Sequence, residues 1–122
     1  LGLTRWVSSQ GILPIVAIIH PFEDDRKHCR ESLDGYYEVY LHCELSECIK
    51  RDTKNVYKPA LEGKANNVVG LDIPYEKPEN ADLVLDSAHH SAEEMLEILW
   101  NAILQEVLPN YQLRLVNNSK KL

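Results

Sequence analysis

The chain has 122 residues, 44% hydrophobic and 26% charged, enough for one domain with a single core. Its net charge of −6 and pI near 5.3 exclude a general nucleic-acid binder, because neutralising a phosphate backbone needs a basic face. The longest apolar run, Ile12 to Ile19, is eight residues and contains Pro14; that is too short to cross a bilayer, so no membrane partner is expected.

Leu3 to Gln10 reads as the end of a helix: Leu3, Trp6 and Val7 share a face, and Gly11 is a good stop. Ile12 to Ile19 is continuously apolar and β-branched, the pattern of a strand buried on both faces of a parallel sheet. His20-Pro21-Phe22 ends it. Ligands of open parallel sheets bind beyond the carboxyl ends of the strands, so His20 is either a turn residue or a ligand-facing one. Glu23 to Leu33 predicts a helix with acids first and bases last, as the helix dipole favours. Its Arg26 and Arg30 lie on one face, either solvated or gripping an anion.

Asp34-Gly35 is a turn, and Tyr36 to His42 a second strand. Glu44 to Arg51 predicts a short helix with Leu45, Cys48 and Ile49 inward. Cys29, Cys43 and Cys48 form no CxxC pair. Free thiols packed in the core are the simplest reading, which places the protein in the cytoplasm. Asp82 to Asp86 is a third strand. Ser91 and Glu94 form a capping box that opens a last helix, with Met95, Leu96, Leu99, Ile103 and Val107 on one face and Pro109 as its stop. Trp100 is expected against the sheet. His89 and His90 are adjacent and poorly placed to chelate one metal, so no metal site is predicted. Residues 1–109 form the domain, and 110–122 a tail that either adds a strand or frays.

Between the second and third strands lies the stretch around which the chain is organised. Arg51, Lys54, Lys58 and Lys64 supply four cations, with Asp52 and Tyr57 among them, and Pro59, Gly63 and Gly70 allow bends. Residues 51–78 read as a long irregular lid that closes over an anionic ligand.

These residues resemble the adenylyl-sulfate kinase family over residues 3–107. The resemblance is carried by Ile15 to Phe22, by Arg26 and Arg30, and by Tyr37 to Leu41. It continues through Cys48 with Arg51-Asp52-Thr53-Lys54-Asn55-Val56-Tyr57-Lys58-Pro59-Ala60, Gly70-Leu71-Asp72-Ile73-Pro74-Tyr75-Glu76-Lys77-Pro78-Glu79, and Asp82 to Asp86. It implies an α/β fold, a three-layer P-loop-kinase-like sandwich with a parallel sheet. It also implies transfer of the ATP γ-phosphoryl, with Mg2+, to the 3′-hydroxyl of adenylyl sulfate. Ile19, His20, Lys54, Asn67 and Val68 then fall at the substrate nucleotide. Arg51 and Ala88, His89 and His90 fall around the ATP base, and Asp52, Tyr57, Lys58 and Gly70 in the lid. The implied partner is a small nucleotide, and a homodimer is one arrangement for the chain.

Three departures bear on the substrate. The family usually has Ser at His20, an aromatic at Val68 and Lys at Asn66. The Asn67 to Pro74 form of the loop resembles a branch that acts on another nucleotide, a cytidine diphosphoramidate. No G-x-x-x-x-G-K-[ST] occurs in the sequence, and that motif cradles ATP phosphates. The chain opens Leu1-Gly2-Leu3-Thr4 without Met and is expected to be a piece of a longer polypeptide. Without a P-loop strand between 12–19 and 36–41, a gap with apolar walls and unpaired backbone is expected. On that reading the chain is a non-catalytic module when alone, or pairs with another chain.

Overall fold

A computed structural model of the chain describes residues 1–112. Helix α1 (Gly2–Ser9) and helix α2 (Glu23–Ser32) precede strand β1 (Val39–His42). Helices α3 (Leu45–Arg51) and α4 (Tyr57–Leu61) follow, then strand β2 (Leu83–Asp86) and helix α5 (Ala92–Ala102), which continues into a π-helical turn over Ile103–Val107. β1 and β2 pair in parallel, Val39 against Leu83 through His42 against Asp86. Parallel pairing requires a crossover of a dozen or more residues, and α3, α4 and the lid supply it. α5 then packs back on β2.

Two strand expectations change. Tyr36 to Glu38 stay outside β1, because Glu38 instead receives the Asp82 and Leu83 amides on its carbonyl (2.9 and 3.1 Å) and donates its own to the Asp82 carboxylate (2.7 Å). More importantly, residues 12–20 form no strand. Strand status comes from pairing, and no described residue pairs with them. Ile15 is 82% exposed and Ile19 72%. β1 is bonded to a strand on one edge only, and Leu41 is 59% exposed. The expected gap is therefore visible as exposed apolar side chains on both of its expected walls. The buried apolar side chains among the described residues are few: Tyr40, Val68, Leu85 and Pro78.

The last helix keeps its predicted cap: Ser91 accepts from the Glu94 amide and Glu94 from the Ser91 amide. Met95, Leu99, Ile103 and Val107 are half-buried, as their spacing predicts, but Leu96 is exposed. Trp100, expected against the sheet, is 54% exposed. Pro109 does not stop the helix either, since helical backbone runs to Gln112. Proline cannot donate to the carbonyl four residues back. The π turn shifts the register, so that the Leu108 amide bonds Ile103. The Asn110 side chain donates to the Glu106 carbonyl at 2.7 Å. The Tyr37 hydroxyl donates to Glu106 at 3.0 Å; burial first, then this carboxylate, pushes its pKa up to about 12. The tail's predicted strand at Leu113 and Leu115 lies outside the described residues.

Candidate functional site

The carboxyl ends of β1 and β2 are tied together by Ser87, whose amide and hydroxyl both donate to the His42 carbonyl (2.9 and 3.0 Å). Arg51, at the end of α3, reaches the same place. Its Nη2 donates to the Ser87 carbonyl at 2.9 Å and its Nε to Glu47 at 2.9 Å. Arg51 is thereby brought beside Ala88, His89 and His90, the four residues read from the sequence as one group. The loop is built on Asp86, whose carboxylate accepts from the Ala88 amide (2.9 Å) and pairs with His89 Nδ1 (2.8 Å). These bonds, His89 first, hold the Asp86 pKa below the usual aspartate value. The Asp86 carbonyl takes the amides of His89 and His90 and lies 3.1 Å from His90 Nδ1.

A second group forms around Arg26, which is 3% exposed. Its Nη1 donates to the His20 carbonyl (2.6 Å) and its Nη2 to the Glu76 carbonyl (2.6 Å) and to Glu23. The Glu76 amide donates to the Pro21 carbonyl at 2.9 Å. Arg26 thus fastens the end of the 12–20 segment to the end of the lid, with both terminal nitrogens bonded within the chain. Arg30 is engaged likewise with Glu38 (3.2 Å), Asp82 (2.9 Å) and the Asn80 carbonyl (3.1 Å), with Tyr36 beneath it. The paired arginines are scaffold. Ile19 is open to solvent, while His20 is half-buried. Stacked rings connect this group to the first: Arg26 lies over Tyr75, Tyr75 stacks on Tyr40 at 6.0 Å, and Tyr40 contacts His42 at 5.6 Å.

The lid is more ordered than its composition predicts. Asp52, at φ 21°, accepts from the amides of Val56, Tyr57 and Lys58 (2.7, 3.0 and 3.0 Å) and so starts α4. Asp72 accepts from the amides of Asn67 and Val68, closing a tight turn that Gly70, at φ 93°, completes. Lys54 and Lys58 are exposed, and neither pairs with a carboxylate among the described residues. Arg51 and Lys64 do pair, with Glu47 and Glu62, so among the described residues the lid's unneutralised cations are Lys54, Lys58 and Lys77. Tyr57 is half-buried against Cys48, and burial chiefly raises the pKa of both. Asp72, Tyr75 and Asp86 carry the family resemblance but were given no site role, and Ser87 was not singled out; the end-of-strand position was the signal for Asp86 and its neighbour. A cavity of about 290 Å3 between Tyr36, Tyr37, Asp82, Glu106 and Tyr111 lies at the amino ends of the strands and contains none of the predicted site residues.

The two lid aspartates make an acid-sensitive lid. The amides of Tyr57, Lys58 and Val56 hold Asp52 below the usual value against a desolvation penalty. For Asp72 desolvation is the largest influence and acts upward, but the amides of Asn67, Val68 and their neighbours together outweigh it. A carboxylate with a lowered folded-state pKa adds stability above its unfolded pKa and loses it as pH falls through the folded value. Amide exchange at 56–58 and 67–68 is therefore expected to accelerate as pH falls from about 5 to about 2, after correction for intrinsic rates, and Asp52→Asn is expected to remove that dependence at 56–58 only. Unchanged protection factors across this window would contradict the lid chemistry.

The profile of the Adenylylsulphate kinase family matches residues 3–86. The chain is 38% identical over 99 residues to the adenylyl-sulfate kinase of Oceanobacillus iheyensis, covering 80% of this chain and 50% of that protein. It is 44% identical over 87 residues to that of Bacillus licheniformis, covering 70% and 44%. It is 40% identical over 96 residues to the cytidine diphosphoramidate kinase of Campylobacter jejuni, covering 78% and 56%. A crystal structure of APE1195 superposes with a TM-score of 0.73 at 30% identity, over 87% of this chain and 62% of that one. The chain spans about half the length of the curated relatives it matches. Its fold is the α/β, P-loop-kinase-like arrangement with a parallel sheet, and the chain belongs to the adenylyl-sulfate kinase family.

Proposed function

We propose that this chain contributes the substrate lid and the base-flanking loop of a kinase that moves the γ-phosphoryl of ATP to the 3′-hydroxyl of adenylyl sulfate, giving the activated sulfate donor PAPS. The observation that carries it is the bond from Arg51 to Ser87. It joins the lid to the 87–90 loop beyond the strand ends, where ligands of parallel sheets bind. Phosphoryl transfer needs little covalent chemistry from the protein; positioning and charge stabilisation dominate. Arg51, fixed by Glu47 and Ser87, presents a planar guanidinium beside that loop, a surface on which a purine can stack. Lys54 and Lys58 in the first half of the lid are exposed cations free to meet phosphate or sulfate. His20 and Ile19 wall the acceptor side, held to the lid by Arg26.

The residues present fit ATP at its base end only. The sequence has no G-x-x-x-x-G-K-[ST], and the described residues hold no group of three His, Cys, Asp or Glu side chains suited to Mg2+. The chain's own residues therefore do not fit the triphosphate and metal. ATP and Mg2+ use is an expectation for the whole kinase.

A second reading is supported by Val68. It is 7% exposed and has no aromatic face to stack on adenine, which favours an acceptor of the cytidine diphosphoramidate type. Turnover separates the two. ATP with either acceptor is incubated with a longer polypeptide that joins a P-loop segment to this chain, and the product is read by 31P nuclear magnetic resonance. A new phosphate on adenylyl sulfate supports the first reading, and one on the cytidine nucleotide alone supports the second. Phosphorylation of neither removes the activity from this chain.

A further inference from the structure

The cavity at the amino ends of the strands is built from chemistry that the nucleotide site does not use. It holds about 290 Å3, between the rings of Tyr36, Tyr37 and Tyr111 and the carboxylates of Asp82 and Glu106. The π turn over Ile103–Val107 carries Glu106, and Asn110 and Tyr111 follow one turn later on the same wall. Such turns are rare inside helices and recur at functional sites. The polar groups of this wall are acceptors that the chain leaves unfilled. The Tyr37 hydroxyl donates to Glu106 Oε2 at 3.0 Å, so Oε1 stays open, and among the described residues Glu106 has no ion pair. Asn110 spends its NH2 on the Glu106 carbonyl at 2.7 Å, which leaves its Oδ1 as an acceptor. The Tyr111 hydroxyl is buried and has no partner among the described residues. A buried hydroxyl left unpaired is costly, so it marks a place where a hydrogen-bonding group is missing. Asp82 differs: Arg30 lies 2.9 Å from it and neutralises it. One carboxylate beside three aromatic rings is therefore left without a counter-charge. Glu106 and Asn110 are exposed, so a ligand reaches them from solvent.

We propose that this cavity is a binding site for a small alkylammonium ion, separate from the nucleotide site, with Glu106 as its counter-charge. The site stands whether or not the chain binds a nucleotide. Aromatic rings attract a cation to their faces, and three tyrosines with one carboxylate supply both the faces and the charge. Burial, the largest cause, pushes the pKa of Tyr36 and of Tyr37 up to about 12, so both remain neutral phenols. An ammonium has three donors and no acceptor, which matches Glu106 Oε1, Asn110 Oδ1 and the Tyr111 hydroxyl. An anion would meet the carboxylate and be repelled. Leu13 and Val107 complete the wall and suit a short alkyl stem. The volume lies at the bottom of the range for small-molecule pockets, about 300–1,000 Å3, so the ligand is small. The ammonium comes from a free amine or from a lysine side chain of another polypeptide segment; the chemistry at Glu106 is the same.

Titration of the whole chain with butylammonium chloride, followed by two-dimensional amide nuclear magnetic resonance, tests this. Sodium chloride holds the ionic strength constant, and butanol is the uncharged probe. Saturable shifts of the Tyr37, Val107 and Asn110 amide signals are expected with the ammonium and not with butanol. Glu106→Gln still accepts from the Tyr37 hydroxyl, so the wall is kept; it is expected to weaken binding by about fivefold. Tyr111→Phe is expected to weaken it by about threefold. Because its hydroxyl has no partner to lose, that variant is expected to unfold at no lower a urea concentration than wild type. A blocked glycine-lysine-glycine peptide separates the two sources. Binding at least as tight as that of butylammonium assigns the cavity to a lysine side chain, and exclusion of the peptide while butylammonium binds assigns it to a free amine. No saturable shift with butylammonium overturns the site. Butanol binding as tightly overturns the recognition of charge, and Glu106→Gln binding as tightly as wild type overturns the role of Glu106.

Discussion

Replacing Arg26 by methionine is expected to destabilise the chain by about 3 kcal/mol. Methionine keeps most of the stem's packing, so the loss isolates the guanidinium. Its removal strips a donor from the His20 carbonyl and from the Glu76 carbonyl. It also leaves Glu38, whose side chain is 12% exposed, with Arg30 alone. Breaking a buried charge pair from one side costs about 3–5 kcal/mol. The lower end applies for two reasons. Glu23, the closest carboxylate, is half exposed, and exposed pairs contribute little. The Arg26 Nε is 3.6 Å from Glu38 and makes no hydrogen bond. Arg26→Lys is expected to recover less than half of the loss, because one ammonium cannot span two carbonyls and a carboxylate as a planar fork does. Urea unfolding reads both variants. A midpoint for Arg26→Met equal to wild type would mean that the clamp between the 12–20 segment and the lid holds nothing.

That clamp shows where the sequence was a good guide and where it was not. Charge order found α2, apolar spacing found α3 and α5, and an aromatic and β-branched run found β1, because each signal depends on neighbours a few residues away. The apolar run 12–19 gave the clearest strand signal of all, yet it forms none. Its pattern encodes burial between partners, and the described residues supply no partner. Arg26 and Arg30 looked alike on one helix face; only long-range bonds to Glu76 and Asp82 reveal that both are internal. The family pattern grouped Arg51 with the 88–90 loop, and the Arg51 bond to the Ser87 carbonyl sets the two side by side. The lid was misjudged as irregular because composition counts its charges and glycines. It does not reveal that Asp52 and Asp72 each collect consecutive backbone amides and turn those residues into a capped helix and a closed turn. The departure at Val68 was legible as a missing aromatic, but not as a side chain already buried by its own turn.

Gly70→Ala is expected to cost about 2 kcal/mol and to loosen the turn that carries Asn67. Two effects combine. At φ 93° an L side chain is strained whatever space surrounds it. The added Cβ would also sit 3.0 Å from Leu45 Cδ1, closer than van der Waals contact permits. The first effect dominates, because Leu45 Cδ1 is the end of a flexible side chain on α3 and can swing aside, whereas φ is fixed by the Gly70 amide bonding the Ile73 carbonyl at 2.8 Å. Shortening the obstacle distinguishes them. If backbone strain rules, Gly70→Ala placed on Leu45→Val costs nearly what it costs alone, and the coupling in the double-mutant cycle stays below about 0.5 kcal/mol. If the contact rules, the coupling takes up most of the loss. Hydrogen exchange at Asn67 and Val68 reads the same event locally. Their amides are expected to lose protection in Gly70→Ala while Asp52's partners at 56–58 keep theirs, since the two halves of the lid are braced by different aspartates.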